Sequence, residues 1–134
     1  MTGEVVDCLQ RARELIASED RWIQHHFATT WNDVVCTYDS ELAEHWCALG
    51  AISKVTKGLD NRKAILDELD TVLATSVDQW EAVMETYSGT EEKMRLMEWN
   101  DTKGRKHSEV LTVFDKAIAN AKAKALEAVD GIDA

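Results

Sequence analysis

Cys47 is the residue whose chemistry is best suited to catalysis, because a thiol near a helix N-terminus can be activated as a nucleophile. A histidine base, and a carboxylate or amide that orients it, would complete such a set. The candidates for these two roles are His45 or His107 and Asn100 or Asp101. However, the helix predicted to begin near Ser40 places Cys47 about two turns inside it, beyond the strongest effect of the helix dipole. Free cysteine is also among the most buried residue types, so we interpret Cys47 as a packed thiol and treat catalysis as the alternative.

Histidine and cysteine side chains are also the usual ligands of zinc. The candidates in this chain are His25, His26, Cys36, His45 and Cys47. No pair of them has the short Cys-x-x-Cys or His-x-x-x-His spacing that is typical of a zinc site. The sequence also lacks a glycine-rich phosphate loop, a nucleophile elbow and a metalloprotease helix. We therefore expect neither a metal nor a cofactor.

The triplet Trp99-Asn100-Asp101 precedes the last predicted helix. We expect the tryptophan to fill part of the core and the two polar side chains to accept backbone amides in the turn. The functional alternative is a small-ligand site in which Trp99 forms a wall and Asn100 and Asp101 recognise the ligand. The structural interpretation is preferred, because asparagine and aspartate are common turn residues.

Acidic residues dominate the chain, which has 134 residues and a formal net charge of -10. This charge disfavours nucleic-acid binding, which requires a basic face. Many of the acids lie in or near a segment at about residues 75–95, which we name the acidic arm. Its candidate partner-binding residues are Asp78, Trp80, Glu81, Met84, Glu85 and Tyr87. Such a stripe is usually part of a core, but if exposed it would form an apolar face with an acidic rim, suited to a protein partner.

The length and composition indicate a single domain over residues 1–134, long enough to bury its own core. No apolar run approaches the roughly 18 residues of a membrane span, and the N-terminus does not resemble an export signal. We therefore expect a cytoplasmic protein whose three cysteines are reduced, with no membrane association.

Hydrophobic periodicity predicts an all-α, or mainly α, fold of about five to six helices. The helices are predicted at about 3–17, from 39–40 through the Trp46–Ile52 segment, at 61–74, at 77–87, in a short segment leading to Trp99, and at 107–129. Gly50 is costly inside a helix, so we expect another helix to approach closely there. Residues 21–39 contain strand-favouring side chains, and a short hairpin and an irregular aromatic loop fit them equally well.

Several motifs occur together in a distinctive order. They are Glu14-Leu15-Ile16, Arg21-Trp22-Ile23-Gln24, Trp46 through Ile52, Trp99-Asn100-Asp101 and Glu109-Val110-Leu111. In this order the chain resembles a family of small uncharacterised proteins, a domain of unknown function found in actinobacteria and phages. The resemblance implies no reaction, because that family has no established one. The chain departs from the family pattern at Lys106, where a threonine usually caps the last helix, and in the acidic arm, which resembles an insertion.

The sequence thus favours a non-enzymatic protein-binding module that docks on a protein partner through the acidic arm. The resemblance adds that it is encoded by a phage or mobile element and acts on a host complex, for example as a counter-defence inhibitor. The alternative is a small cysteine-dependent enzyme or ligand-binding domain that uses Cys47 with Asn100 or Asp101.

Overall fold

The computed structural model describes residues 2–76 and 92–133, which form a mainly α-helical fold with one small antiparallel sheet. The helices are α1 (Thr2–Leu15), α2 (Ala48–Val55), α3 (Arg62–Ser76), α4 (Glu92–Asn100) and α5 (His107–Asp133). The strands are β1 (Ala28–Thr30), β2 (Val35–Cys36) and β3 (Ala43–Trp46), and a short 3-10 helix at Glu19–Arg21 precedes them. The prediction of a mainly α fold is confirmed, and the third strand of the sheet is the addition to it. The helix predicted at 77–87 lies outside the described residues.

The helices enclose a core to which α1, α2, α3 and α5 all contribute. The helix predicted at about 3–17 is confirmed as α1, and Leu9, Ala12 and, directly after its end, Ile16 are completely buried. Helix α1 packs against α5 and α2, and α3 packs against α5 and α4. At the rim, Arg13 on α1 pairs with Asp115 on α5 at 2.6 Å. Among the described residues, no helix combines the length and the apolar composition needed to cross a bilayer.

The hairpin in residues 21–39 forms, and it gains a third strand where the sequence predicted a helix. Strands β1 and β2 pair antiparallel, and β3 pairs with β1 on its other side, giving the order β2-β1-β3. The predicted helix start at Ser40 is wrong. The Ser40 hydroxyl accepts the Leu42 N–H at 3.1 Å and so closes a local turn instead of capping a helix. Trp46 then lies in extended backbone, buried, with its indole N–H donating to the Tyr38 carbonyl at 3.0 Å.

Gly50 lies where α2 meets the sheet, and the expected close approach is made by a backbone and not by another helix. A Cβ atom at Gly50 would lie 2.0 Å from the Phe27 carbonyl oxygen and 2.9 Å from its carbon. The same carbonyl oxygen accepts the Cys47 N–H at 3.3 Å. The absence of a side chain at Gly50 therefore allows the chain that enters β1 to lie directly on the first turn of α2.

The turn between α4 and α5 is capped by residues on both of its sides. Gly104 has a φ of 84°, which favours glycine, and the Arg105 guanidinium donates to the Trp99 carbonyl at 3.0 Å near the end of α4. At the start of α5, the Glu109 carboxylate accepts the Lys106 N–H at 2.7 Å. This is the acidic half of a capping box. Lys106 cannot provide the other half with its side chain, and the Glu109 N–H donates to the Lys106 carbonyl at 3.0 Å instead.

Candidate functional site

Asn100 is the buried polar centre of the fold. It is completely buried, at the C-terminal end of α4. Its Oδ1 accepts the Trp22 indole N–H at 2.7 Å and the Ala48 N–H at 3.1 Å. Its Nδ2 donates to the Ile23 carbonyl at 3.2 Å and to Asp101 Oδ1 at 2.9 Å. All four hydrogen-bonding positions of the amide are therefore used within the protein.

Two neighbouring side chains extend this network to the loop after the 3-10 helix. Asp101 Oδ1 also accepts the His25 N–H at 2.8 Å, which helps to hold that residue at a φ of 75°. Gln24 Nε2 donates to the Asn100 and Thr102 carbonyls at 2.9 and 3.0 Å. Asn100 and Asp101 thus accept backbone amides as expected, but from distant segments and not from their own turn. Their hydrogen bonds connect residues 22–25 to the start of α2 and to the turn that follows α4.

Cys47 lies at the N-cap of α2 and not two turns inside a helix. Its sulfur accepts the Gly50 N–H at 3.2 Å, so the thiol takes the place of the usual hydroxyl or carboxylate cap. Only 3% of the residue is exposed. Burial, and to a smaller degree the charge of Asp101, raises the pKa of the Cys47 thiol to about 11. A thiol with this pKa remains protonated near neutral pH, which is the opposite of an activated nucleophile.

The two candidate histidine bases bond elsewhere. His45 lies on β3, and its Nδ1 is 2.9 Å from the Thr29 hydroxyl and 3.9 Å from an Asp33 carboxylate oxygen. His107 begins α5, and its Nε2 is 2.6 Å from the Ile16 carbonyl oxygen. The structure therefore does not assemble a cysteine–histidine pair at Cys47. Within the described ranges, no three His, Cys, Asp or Glu side chains are grouped closely enough to hold a metal ion.

Trp99 is 1% exposed and fills the core as expected, with the Arg105 guanidinium 4.2 Å from its ring centroid. Burial lowers the pKa of Arg105, although Glu109 opposes the shift. Because Trp99 and Asn100 are both enclosed by protein, they do not form the wall and floor of an open pocket.

One end of the sheet exposes a group of large apolar side chains. Thr30 lies opposite Ala43, so the turn after β1 and the residue before β3 emerge at the same end. The exposed residues there are Trp31 (78%), Val34 (56%), Val35 (59%) and Leu42 (69%), which we name the sheet-end surface. Asp33 and Glu41 are exposed beside them. Soluble domains rarely group such side chains at the surface without a binding role.

The partner-binding residues predicted from the sequence, Asp78, Trp80, Glu81, Met84, Glu85 and Tyr87, lie outside the described residues. The sheet-end surface was not predicted as a site, although its strand-favouring residues were recognised. The surface was missed because the third strand was not predicted. Leu42 was assigned to a helix, so the sequence offered no reason to place it beside Trp31.

These features define a mainly α domain with a small sheet, in which a buried asparagine joins three distant segments. The chain belongs to a family of unknown function (DUF6197), whose model matches residues 1–120. The resemblance to an uncharacterised family is thereby confirmed. No curated protein and no solved structure matches the chain.

Proposed function

We propose that this chain is a non-enzymatic protein-binding module that acts in the cytoplasm and docks through the sheet-end surface. The observation that carries the proposal is the exposure of Trp31, 78% of which is open to solvent in the turn between β1 and β2. Tryptophan is enriched among the residues that dominate binding energy, and here it has valine and leucine neighbours that can exclude water around it.

The charge of the surroundings indicates the chemistry of the partner. Asp33 and Glu41 are exposed next to Trp31 and Leu42, and the whole chain has a net charge of -10. A complementary surface would have an apolar centre and a basic rim, and electrostatic attraction would accelerate its association at low salt. The same negative charge disfavours nucleic acid as the partner.

The cysteine-dependent alternative has less physical support. Cys47 is buried, caps α2 and has a raised pKa of about 11, and both candidate histidines are bonded to other groups. Activation would require opening of the contact between α2 and the chain leading into β1.

The acidic arm stays a second proposed docking segment on the sequence alone, through Asp78, Trp80, Glu81, Met84, Glu85 and Tyr87. A phage or mobile-element origin, and inhibition of a host defence complex, is the form of this function suggested by the resemblance to phage proteins.

The test is affinity capture from a host lysate, followed by titration of the captured protein against purified variants. Trp31→Ser removes the centre of the sheet-end surface, and Leu126→Ser is the matched control because Leu126 is 67% exposed on α5. A third variant reverses the charges of Asp78, Glu81 and Glu85. We expect Trp31→Ser to weaken binding at least about tenfold, corresponding to about 1.4 kcal/mol, while Leu126→Ser binds as the wild type does.

Equal binding by Trp31→Ser and the wild type would show that the sheet-end surface is not the docking site. If only the charge-reversed arm variant fails to bind, the acidic arm is the docking site instead. Turnover of a substrate that is abolished by Cys47→Ala would replace the binding function with the enzymatic alternative.

A further inference from the structure

A groove lies between the hairpin, α2, α3 and α4, and its volume is about 740 Å³. This lies within the range of small-molecule sites in proteins. Its apolar lining includes Phe27 and Tyr38 from around the hairpin, Leu49 from α2 and Met97 from α4. These side chains could enclose an aromatic or aliphatic body of moderate size. The groove shares none of the four residues of the sheet-end surface.

Two polar side chains in the groove lack the partners that buried groups normally have. Ser53 on α2 lines the groove and is only 3% exposed. Its Oγ has no hydrogen-bond partner among the described residues. Arg62 begins α3 and also lines the groove, and its buried Nε is likewise without a partner there. Buried polar groups are nearly always satisfied by protein or by water, so a water or another molecule bound in the groove would supply the partners that these two lack.

The charged side chains in the groove indicate which sign of charge a bound molecule would have. Among the described residues that line the groove, the one carboxylate is that of Asp39. It is paired with Lys57 at 2.7 Å, and this hydrogen bond lowers the pKa of Asp39. Arg62 makes no ion pair with any described residue. Among its described lining residues, the groove therefore presents one uncompensated positive charge, that of Arg62, and one buried hydroxyl without a partner, that of Ser53. A guanidinium and a hydroxyl suit a carboxylate, which accepts both, whereas a phosphate dianion would bring more negative charge than this acidic protein compensates there.

We propose that this groove binds a small organic carboxylate, with its apolar body between Phe27, Leu49 and Met97 and its carboxylate on Arg62 and Ser53. The guanidinium donates to one or both carboxylate oxygens, and the Ser53 hydroxyl donates to the same group. The site does not depend on the protein-docking function, because it uses other residues.

The test is isothermal titration calorimetry of the full chain with three carboxylates that differ in their apolar groups, namely benzoate, 2-naphthoate and octanoate. Each is paired with its neutral amide, which has the same shape without the charge. Arg62→Gln removes the guanidinium, and Arg11→Gln is the matched control. Arg11 lies in a second cleft, with Arg21 and Lys54, that could attract anions non-specifically.

At least one carboxylate should bind with a Kd below about 1 mM, and its amide and the Arg62→Gln variant should each weaken binding about tenfold or more. Arg11→Gln should bind as the wild type does. Ser53→Ala should also weaken binding, while its melting temperature stays equal to or above that of the wild type, because the variant loses an unsatisfied buried hydroxyl. A purely structural serine would not give this opposition of binding and stability.

The proposal is overturned if none of the three carboxylates binds, if each amide binds as well as its acid, or if Arg11→Gln weakens binding and Arg62→Gln does not. Because Arg62→Gln could disturb α3, its circular dichroism is compared with the wild type, and Arg62→Lys is titrated beside it. Retained binding by Arg62→Lys together with loss in Arg62→Gln supports the charge; wild-type binding by both refutes it.

Discussion

Replacing Gly50 with alanine should destabilise the protein, although helix propensity alone predicts the opposite. Alanine inside a helix is favoured over glycine by about 1 kcal/mol. At this position, however, the new methyl group would lie 2.0 Å from the Phe27 carbonyl oxygen, and the atoms it meets belong to a backbone. Forcing extra volume into a packed interior costs about 1–3 kcal/mol, and more when the neighbour cannot move freely.

The displacement has a second consequence, because the Phe27 carbonyl oxygen also accepts the Cys47 N–H at 3.3 Å. Moving this carbonyl away from α2 weakens that bond, at a cost of about 1 kcal/mol. The clash and the lost bond together exceed the gain in propensity, so we expect a net loss of roughly 3 kcal/mol. For a chain of this size the melting temperature should fall by roughly 10 °C.

The assay is urea unfolding followed by circular dichroism, with the free energy of unfolding extrapolated to water. Ala119→Gly is the reference for propensity, since Ala119 is exposed within α5, and it should lose about 1 kcal/mol. If Gly50→Ala proves as stable as the wild type or more so, the close contact between Phe27 and α2 is not a feature of the folded protein, and the reasoning fails.

Four further predictions concern the buried and capping groups. Asn100→Ala should cost about 3–5 kcal/mol in chemical unfolding, because it leaves the Trp22 indole and the Ala48 amide unsatisfied; a loss below about 1 kcal/mol would contradict the network. Iodoacetamide should modify native Cys47 far more slowly than the half-buried Cys36, as read by mass spectrometry, and comparable rates would show an open thiol. The raised pKa of Cys47 means that its contribution to stability is complete below the pKa of the unfolded thiol, near 9, and is lost as the pH rises toward 11; Cys47→Ala should show a smaller alkaline loss than the wild type. Glu109→Ala should cost about 1 kcal/mol by removing the cap on the Lys106 amide.

The helices were predictable where one apolar face repeats over several turns. In α1 and α3 the buried residues follow the helical period, so the sequence and the structure agree. The segment around Ser40 and Trp46 failed because a possible cap and a helix-compatible spacing also fit a turn followed by a strand. Tertiary partners decided the outcome there: Trp46 reaches Tyr38 through its indole, and β3 pairs with β1, a strand too short to be recognised by pattern.

The candidate site was predictable in its residue types but not in its connections. Asn100 and Asp101 were expected to accept backbone amides, and they do. Their donors, however, come from the 22–25 segment and from Ala48, and no local pattern encodes which distant amide a side chain will meet. Cys47 was expected two turns inside a helix only because that helix was predicted to begin near Ser40. The helix begins instead at Ala48, and Cys47 is therefore its N-cap.

The arrangement of the sheet also limits how a partner could pair with it. On the β3 side, the Ile23 N–H donates to the Trp46 carbonyl at 3.1 Å, and Trp22 forms a parallel bridge to Trp46, so this edge is covered at Trp46. On the other side, β2 ends the sheet within the described part of the chain. An extended segment of a partner could therefore add beside β2, where Val35 is exposed and Trp31 and Val34 lie in the adjoining turn. Hydrogen bonding to the 22–23 segment thus covers the sheet at Trp46, whereas the outer side of β2, with its apolar neighbours, is unpaired among the described residues.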